Sequence, residues 1–267
     1  MSKRIKNIFT NKNKKLVTFV TGGDPDLSTS QDILKTIIDN GADIIEIGMP
    51  FSDPMADGPT IQLSSNRAIK ENINLDSIFT ICKNIRKKND IIPIILMGYY
   101  NVILHYGIDN FTKQCSSAGI DGLIIVDLQP EEDNELYESV KSNNIDLIRL
   151  ITPTTTTERI KTIASHASGF LYYVTVTGIT GQNSANLEEL KKSIKKIRDQ
   201  SKLPIVAGFG INNKEQVNEI CKITDGAVVG SSIIKIIENN INNKSIMLKK
   251  IENFVKELKN GTKLWIG

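Results

Sequence analysis

At 267 residues the chain is long for one ordinary domain, but a closed α/β barrel takes about 250 residues as a single unit. Its composition, 40% hydrophobic and 24% charged, is that of a globular protein with a sizeable core and excludes disordered, collagenous and disulfide-scaffold classes. With 33 basic and 30 acidic residues the net charge is +3, too small for a charge-driven nucleic-acid binder.

The pattern begins with a short helix over Arg4–Phe9, set off from the first strand by Lys12–Lys15 and expected to plug the lower end of a barrel. Eight short apolar runs follow: Leu16–Thr21, Ile44–Gly48, Ile92–Met97, Gly122–Val126, Asp146–Leu150, Leu171–Val174, Pro204–Ala207 and Ala227–Val229. Helical patterns separate them. Ser28 and Gln31 read as a capping box ahead of Ile33, Leu34, Ile37 and Ile38, with Gly41 as the stop, and Thr155 with Glu158 repeats the device. Strand and helix alternate eight times in near-equal units without a dividing linker. Parallel strands joined this way either open into a doubly wound sheet or close on themselves, and eight equal units favour closure. The expectation is one (β/α)8 barrel domain over residues 1–267, of α/β class, with the leading helix below and extra short helices at the mouth.

The longest apolar stretch, residues 91–100, contains Pro93 and Gly98 and falls short of the roughly 18 residues of a membrane span. The basic, Asn-rich amino terminus lacks a secretory apolar core, so a cytoplasmic location is expected. Cys82, Cys115 and Cys221 are too widely spaced for a zinc or dithiol motif and read as buried reduced thiols. His105 and His166 are the only histidines, and no metal site is expected.

A barrel builds its site at the carboxyl ends of the strands. Along Ile44–Gly48 the side chains alternate, so if Ile45 and Ile47 face the helices, Ile44 and Glu46 face the interior. A carboxyl group buried there stays protonated until needed and suits a general acid; the competing reading is a strand-edge Glu on the solvent side. The loop that follows, residues 49–60, holds Asp53 and Asp57 between three prolines and a glycine. Spacing alone leaves both aspartates equally at home as turn residues. Phosphate is the second signal. Gly208-Phe209-Gly210 follows the seventh strand, Gly230-Ser231-Ser232 follows the eighth and opens a helix, and Gly178 and Gly181 follow the sixth; backbone N–H groups at such positions cradle anions.

The segment Glu46-Ile-Gly-Met-Pro-Phe-Ser-Asp-Pro-Met-Ala-Asp57-Gly-Pro-Thr-Ile-Gln62 closely resembles the signature of the tryptophan synthase α subunit family. Phe19-Val-Thr-Gly-Gly-Asp24-Pro, Met97-Gly-Tyr-Tyr-Asn101, the 178–181 stretch, Gly208-Phe-Gly210-Ile and Gly230-Ser231 fall in the family's order, so the resemblance spans nearly the whole chain. It implies a carbon-carbon lyase that splits indole-3-glycerol phosphate into indole and glyceraldehyde 3-phosphate by retro-aldol cleavage. Glu46 then resembles the acid and base, and Asp57 the ionised partner of the indole N–H, with Glu46 raised in pKa and Asp57 nearer normal. Phe19, Thr21, Met97, Tyr99 and Tyr172 would line the indole pocket. Thr180, Gly181, Phe209, Gly210, Gly230 and Ser231 would complete the substrate site toward phosphate. Asp53, Pro54 and Met55 would meet a β subunit, in an α2β2 assembly where this chain holds no cofactor and the β subunit holds pyridoxal phosphate. The rival reading within that frame is a weakly catalytic allosteric subunit. Two departures stand out: Thr175 and Val176 replace the family's Ser and Arg in the loop that closes over substrate, and Asp127-Leu128-Gln129-Pro130 shifts a proline by one residue.

Overall fold

The computed structural model describes residues 2–174, 184–208 and 210–263. Its strands are β1 (Lys15–Thr21), β2 (Ile44–Gly48), β3 (Ile94–Gly98), β4 (Gly122–Ile125), β5 (Asp146–Leu147), β6 (Arg149–Ile151), β7 (Leu171–Val174), β8 (Ile205–Gly208) and β9 (Gly226–Val229). Every pairing is parallel, in the order β5-β4-β3-β2-β1-β9-β8-β7-β6. The two ends of that order are consecutive in sequence. β5 and β6 are halves of one stave joined at Ile148, whose amide still donates to Leu123 O at 2.9 Å, so the sheet closes on itself. The expected fifth strand, Asp146–Leu150, is thus real but kinked, and the third starts at Ile94, beyond Pro93, which has no N–H to give the ladder.

Alternation sorts the side chains into two layers. Val17, Ile44, Ile95, Ile124, Ile148, Phe170, Val206 and Val228 fill the barrel, while Ile45, Ile47, Leu96, Leu123 and Val229 face the helices. The leading helix α1 (Lys3–Thr10) closes the bottom as expected: Ile5 is fully buried in the interior cluster, with Ile8 and Phe9 packed beside it. Burial of a side chain of that size contributes about 1.5–3 kcal/mol.

The outer helices are α2 (Leu27–Asp39), α3 (Pro59–Lys70), α4 (Leu75–Arg86), α5 (Tyr100–Tyr106), α6 (Ile108–Ser117), α7 (Asn134–Ser142), α8 (Thr157–Ser165), α9 (Ser184–Arg198), α10 (Lys214–Ile223), α11 (Ser231–Glu238) and α12 (Lys244–Gly261). The extra helices expected at the mouth are α3, α5 and a 3-10 turn at Pro130–Glu132. Two caps differ from the sequence reading. Asp26, not Ser28, caps α2 by accepting from Thr29 N, and Thr156, not Thr155, caps α8 by accepting from Arg159 N. In each case neighbouring residues compete to cap, and the losing side chain bonds elsewhere or lies within the first turn; Thr155 accepts from Thr152 N. Gly41, at φ +114, does follow α2 as the stop. Cys82, Cys115 and Cys221 are free and buried against the outer core, on α4, α6 and α10. Among the described residues no helix is long and apolar enough to cross a membrane, and none of the acid, histidine and cysteine groups clusters as a metal site.

Candidate active site

Glu46 sits in the middle of β2, in register with Phe19 of β1 and Ile95 of β3. The flanking isoleucines fall as alternation requires, Ile44 to the interior and Ile45 and Ile47 to the helices, so the solvent-side reading of Glu46 is wrong. Its carboxyl is completely buried, and neither oxygen has a hydrogen-bond partner within the described residues. Burial alone lifts its pKa from 4.5 to about 8, so at neutral pH it holds its proton. Burial raises the pKa of the Tyr172 phenol on β7, and the nearby Glu46 carboxyl, when charged, raises it further.

Asp57 lies at the mouth just before α3, its backbone fixed by a turn in which its amide donates to Pro54 O at 3.0 Å and by Gln62 Nε2, which donates to its carbonyl at 2.8 Å. The Tyr99 hydroxyl donates to Asp57 Oδ2 at 3.0 Å and accepts from Ala56 N at 3.0 Å. The Asp57 carboxyl is raised in pKa by burial, against the lowering effect of that hydrogen bond, which corrects the expectation of a near-normal group. Phe19, Thr21, Met97, Tyr99 and Asp57 jointly line one narrow cleft, together with Ile61 and Val126. Four of the five residues expected around indole are therefore in one place. The fifth, Tyr172, packs against the barrel-interior cluster.

The residues expected to hold phosphate include two loops tied together: Ser232 Oγ donates to Ile211 O at 2.7 Å, joining the start of α11 to the loop after β8. Gly210 there has φ +69, a conformation that suits glycine. Gly230 is the N-cap of α11, and the N–H groups of Ser231 and Ser232 occupy the helix's first turn, where an anion is favoured. A Cβ on Gly230 would stand 3.1 Å from Phe19 Cβ, and one on Gly48 would stand 2.8 Å from Phe19 Cζ. The Phe19 side chain thus lies between the end of the Glu46 strand and the start of α11. Thr180, Gly181 and Phe209, with Gly178, lie outside the described residues.

A family model described as tryptophan synthase alpha chain covers residues 5–263. Curated relatives of that name from Geotalea uraniireducens (strain Rf4) and Petrotoga mobilis (strain DSM 10674 / SJ95) are 44% and 45% identical, over 96% of this chain and 95% and 98% of theirs. The chain belongs to the tryptophan synthase alpha chain family. Among solved structures, the alpha subunit of tryptophan synthase from Legionella pneumophila str. Paris aligns with a TM-score of 0.90 at 35% identity over 98% of both chains. A chain of Mycobacterium tuberculosis tryptophan synthase in an open form aligns at 0.87 and 26% identity over 98% of this chain and 99% of that one. As a tryptophan synthase alpha chain, the protein is a lyase-type subunit of tryptophan biosynthesis whose family works with a β subunit.

On the surface expected to meet that β subunit, Met55 is 86% exposed and Asp53 is exposed, but Pro54 is buried. Pro54 serves the loop from inside, its carbonyl receiving the Asp57 amide, and offers no side chain to a partner. The shifted proline after β4 leaves a defined turn: Pro130 opens the 3-10 segment, and Asp127 Oδ1 accepts from Tyr100 N at 2.8 Å. Thr175 and Val176 lie outside the described residues. Two polar features of the site are not apparent from the sequence. Tyr99 reads there only as apolar lining, and Asp24 stands without its partner, Arg67, which contacts Asp24 Oδ1 and Oδ2 at 2.7 and 2.8 Å.

Proposed function

We propose that this tryptophan synthase alpha chain cleaves indole-3-glycerol phosphate to indole and glyceraldehyde 3-phosphate, and that Glu46 and Asp57 carry the chemistry. The observation behind this reading is Glu46 itself: a fully buried carboxyl with no partner among the described residues, protonated at neutral pH, facing the interior of a barrel that holds a second carboxyl at its mouth. The protonated Glu46 delivers its proton to indole C3, and the Asp57 carboxylate stabilises the positive charge that the ring nitrogen acquires. The resulting Glu46 carboxylate then takes the proton of the glycerol hydroxyl next to the ring. The carbon-carbon bond breaks, its electron pair returns to the indole ring, the alkoxide becomes the aldehyde, and Glu46 is protonated again. Proton count and charge balance over the cycle.

The apolar side chains of Phe19 and Met97 suit a flat aromatic ring, Thr21 and Tyr99 border it, and Tyr172 is assigned to the same ring from the barrel interior. Gly210, Gly230 and Ser231, with Thr180, Gly181 and Phe209, are assigned to the glycerol phosphate. The chain is assigned no cofactor of its own. Its β partner is assigned pyridoxal phosphate and receives the indole, in an α2β2 assembly located in the cytoplasm, with Asp53 and Met55 on the contact surface. The deciding experiment follows indole release from indole-3-glycerol phosphate by the purified chain, alone and with a matched β subunit. Release by the chain alone supports the catalytic assignment. No release under either condition sinks it, and release only with the β subunit favours a weakly catalytic allosteric subunit.

A further inference from the structure

Helix α3 begins two residues after Asp57 and is tied to the rest of the mouth along its length. In its first turns, Gln62 Nε2 donates to the Asp57 carbonyl. Two residues on, Ser64 Oγ is 2.6 Å from Thr21 Oγ1 at the end of β1, and Ser64 is wholly buried. In the last turn, Arg67 makes two hydrogen bonds to Asp24, which is 1% exposed, and its Nη1 lies 3.8 Å from Glu238 Oε1. Glu238 is the last residue of α11, the helix whose other end carries Gly230 and Ser231. Arg67 therefore touches neither end of the proposed site, yet it joins the helix behind Asp57, the loop after β1 and the helix behind the phosphate position.

We infer that the Asp24–Arg67–Glu238 chain is a strut that fixes the separation between the Asp57 end and the phosphate end of the site, and that Arg67 is a positioning residue for a substrate that must reach both at once. The inference rests on the proposed cleavage reaction, because only a substrate with a ring at one end and a phosphate at the other requires that separation. The bidentate geometry suits Arg67 to this role: two parallel hydrogen bonds fix the orientation of the guanidinium plane as well as its distance, which a lysine ammonium cannot do. Loosening the strut leaves each end intact and alters their spacing, and displacement of a reacting group by about 1 Å can lower turnover by roughly 100-fold.

The test separates the joined substrate from one of its halves. Removing Arg67 alone would leave the Asp24 charge buried without its partner, so the principal variant is the double substitution Asp24→Asn with Arg67→Met, which buries no uncompensated charge. Its fold is checked by thermal melting and circular dichroism. Affinity for glycerol 3-phosphate is measured by calorimetry, and cleavage of indole-3-glycerol phosphate by indole release. The expected result is a fall in kcat/KM of roughly 10- to 100-fold with the glycerol 3-phosphate Kd within about two-fold of the original. Arg67→Lys, which keeps the charge and loses the fork, should fall between the two. A variant with unchanged kcat/KM overturns the strut. So does a parallel loss of cleavage and glycerol 3-phosphate affinity, which would make Arg67 a support for α11 alone. If the double substitution fails to fold, Arg67→Lys carries the same comparison. An unmodified chain that binds glycerol 3-phosphate but releases no indole, with or without a β subunit, would remove the cleavage reading and this proposal with it.

Discussion

The Tyr99 hydroxyl bridges Asp57 Oδ2 and the Ala56 amide, 3.0 Å from each, so one phenol at the start of α5 both holds the Asp57 loop and supplies its carboxylate with a donor. Burial pushes the Asp57 pKa up and this hydrogen bond opposes the push. Tyr99→Phe removes the opposition, and the Asp57 pKa rises further. If Asp57 works as the carboxylate, the acid limb of the cleavage profile moves to higher pH while the alkaline limb, set by loss of the Glu46 proton, stays in place. A pH-rate profile of the variant makes the check; an unshifted limb with a uniformly lower rate would mean the phenol only packs.

Glu46→Gln keeps the shape of the side chain and removes the proton that it transfers. Cleavage should fall by at least about 100-fold with substrate affinity largely kept. Stability provides an independent reading of the same group. A carboxyl whose folded pKa is about 8, against 4.5 when free, binds more protons in the folded than in the unfolded chain between those values. Stability conferred by the neutral form is therefore lost as pH rises through that window and is level above it. Melting temperatures across pH should show that decline in the unmodified chain and a shallower one in Glu46→Gln.

Asp57→Asn and Asp53→Asn should separate the two acids of one loop. The first removes the charge that faces the indole nitrogen and should abolish most turnover of the isolated chain. The second alters an exposed side chain and should spare isolated cleavage while reducing activation by a β subunit. Equal effects in the isolated assay would refute the division.

At Gly210 the backbone has φ +69, a conformation that costs a residue with a Cβ about 1–2 kcal/mol. Gly210→Val should therefore displace the loop beside α11 and raise KM for indole-3-glycerol phosphate more than it lowers kcat at saturation. A drop confined to kcat would make the glycine a structural turn.

An 86% exposed Met55 at the rim of the site gains nothing in water and fits an apolar contact. Met55→Glu should weaken association with a matched β subunit by size-exclusion chromatography and leave the activity of the free chain within about two-fold, while the unmodified pair shows cleavage raised by roughly 10-fold or more. Retained association of the variant would move the interface elsewhere.

The barrel is legible because periodicity of two and of 3.6 writes burial directly into residue order: the run from Ile44 to Gly48 places Glu46 inside from the identities of its two outward isoleucines. Gly210 is legible for a related reason, since its φ of +69 constrains the residue type that the sequence can place there. What periodicity does not carry is the choice among polar partners distant in the chain. Tyr99 meets Asp57 across 42 positions, and Arg67 meets Asp24 across 43, so neither pair leaves a local pattern. The caps at Asp26 and Thr156 escape the sequence for a smaller reason: adjacent residues are all competent to cap, and the three-dimensional path of the chain selects one.

The three buried thiols, silent in the chemistry, make the barrel's own breathing measurable. Burial pushes Cys82 and Cys221 up to about 12 and Cys115 well above the ordinary thiol range, so none is reactive while its helix is seated. They occupy α4, α6 and α10, the first two in neighbouring sectors and the third across the ring near the chain's end. Alkylation of each under native conditions therefore times the opening of its own sector. Comparing those rates with and without glycerol 3-phosphate would show which part of the wall tightens when the mouth is filled.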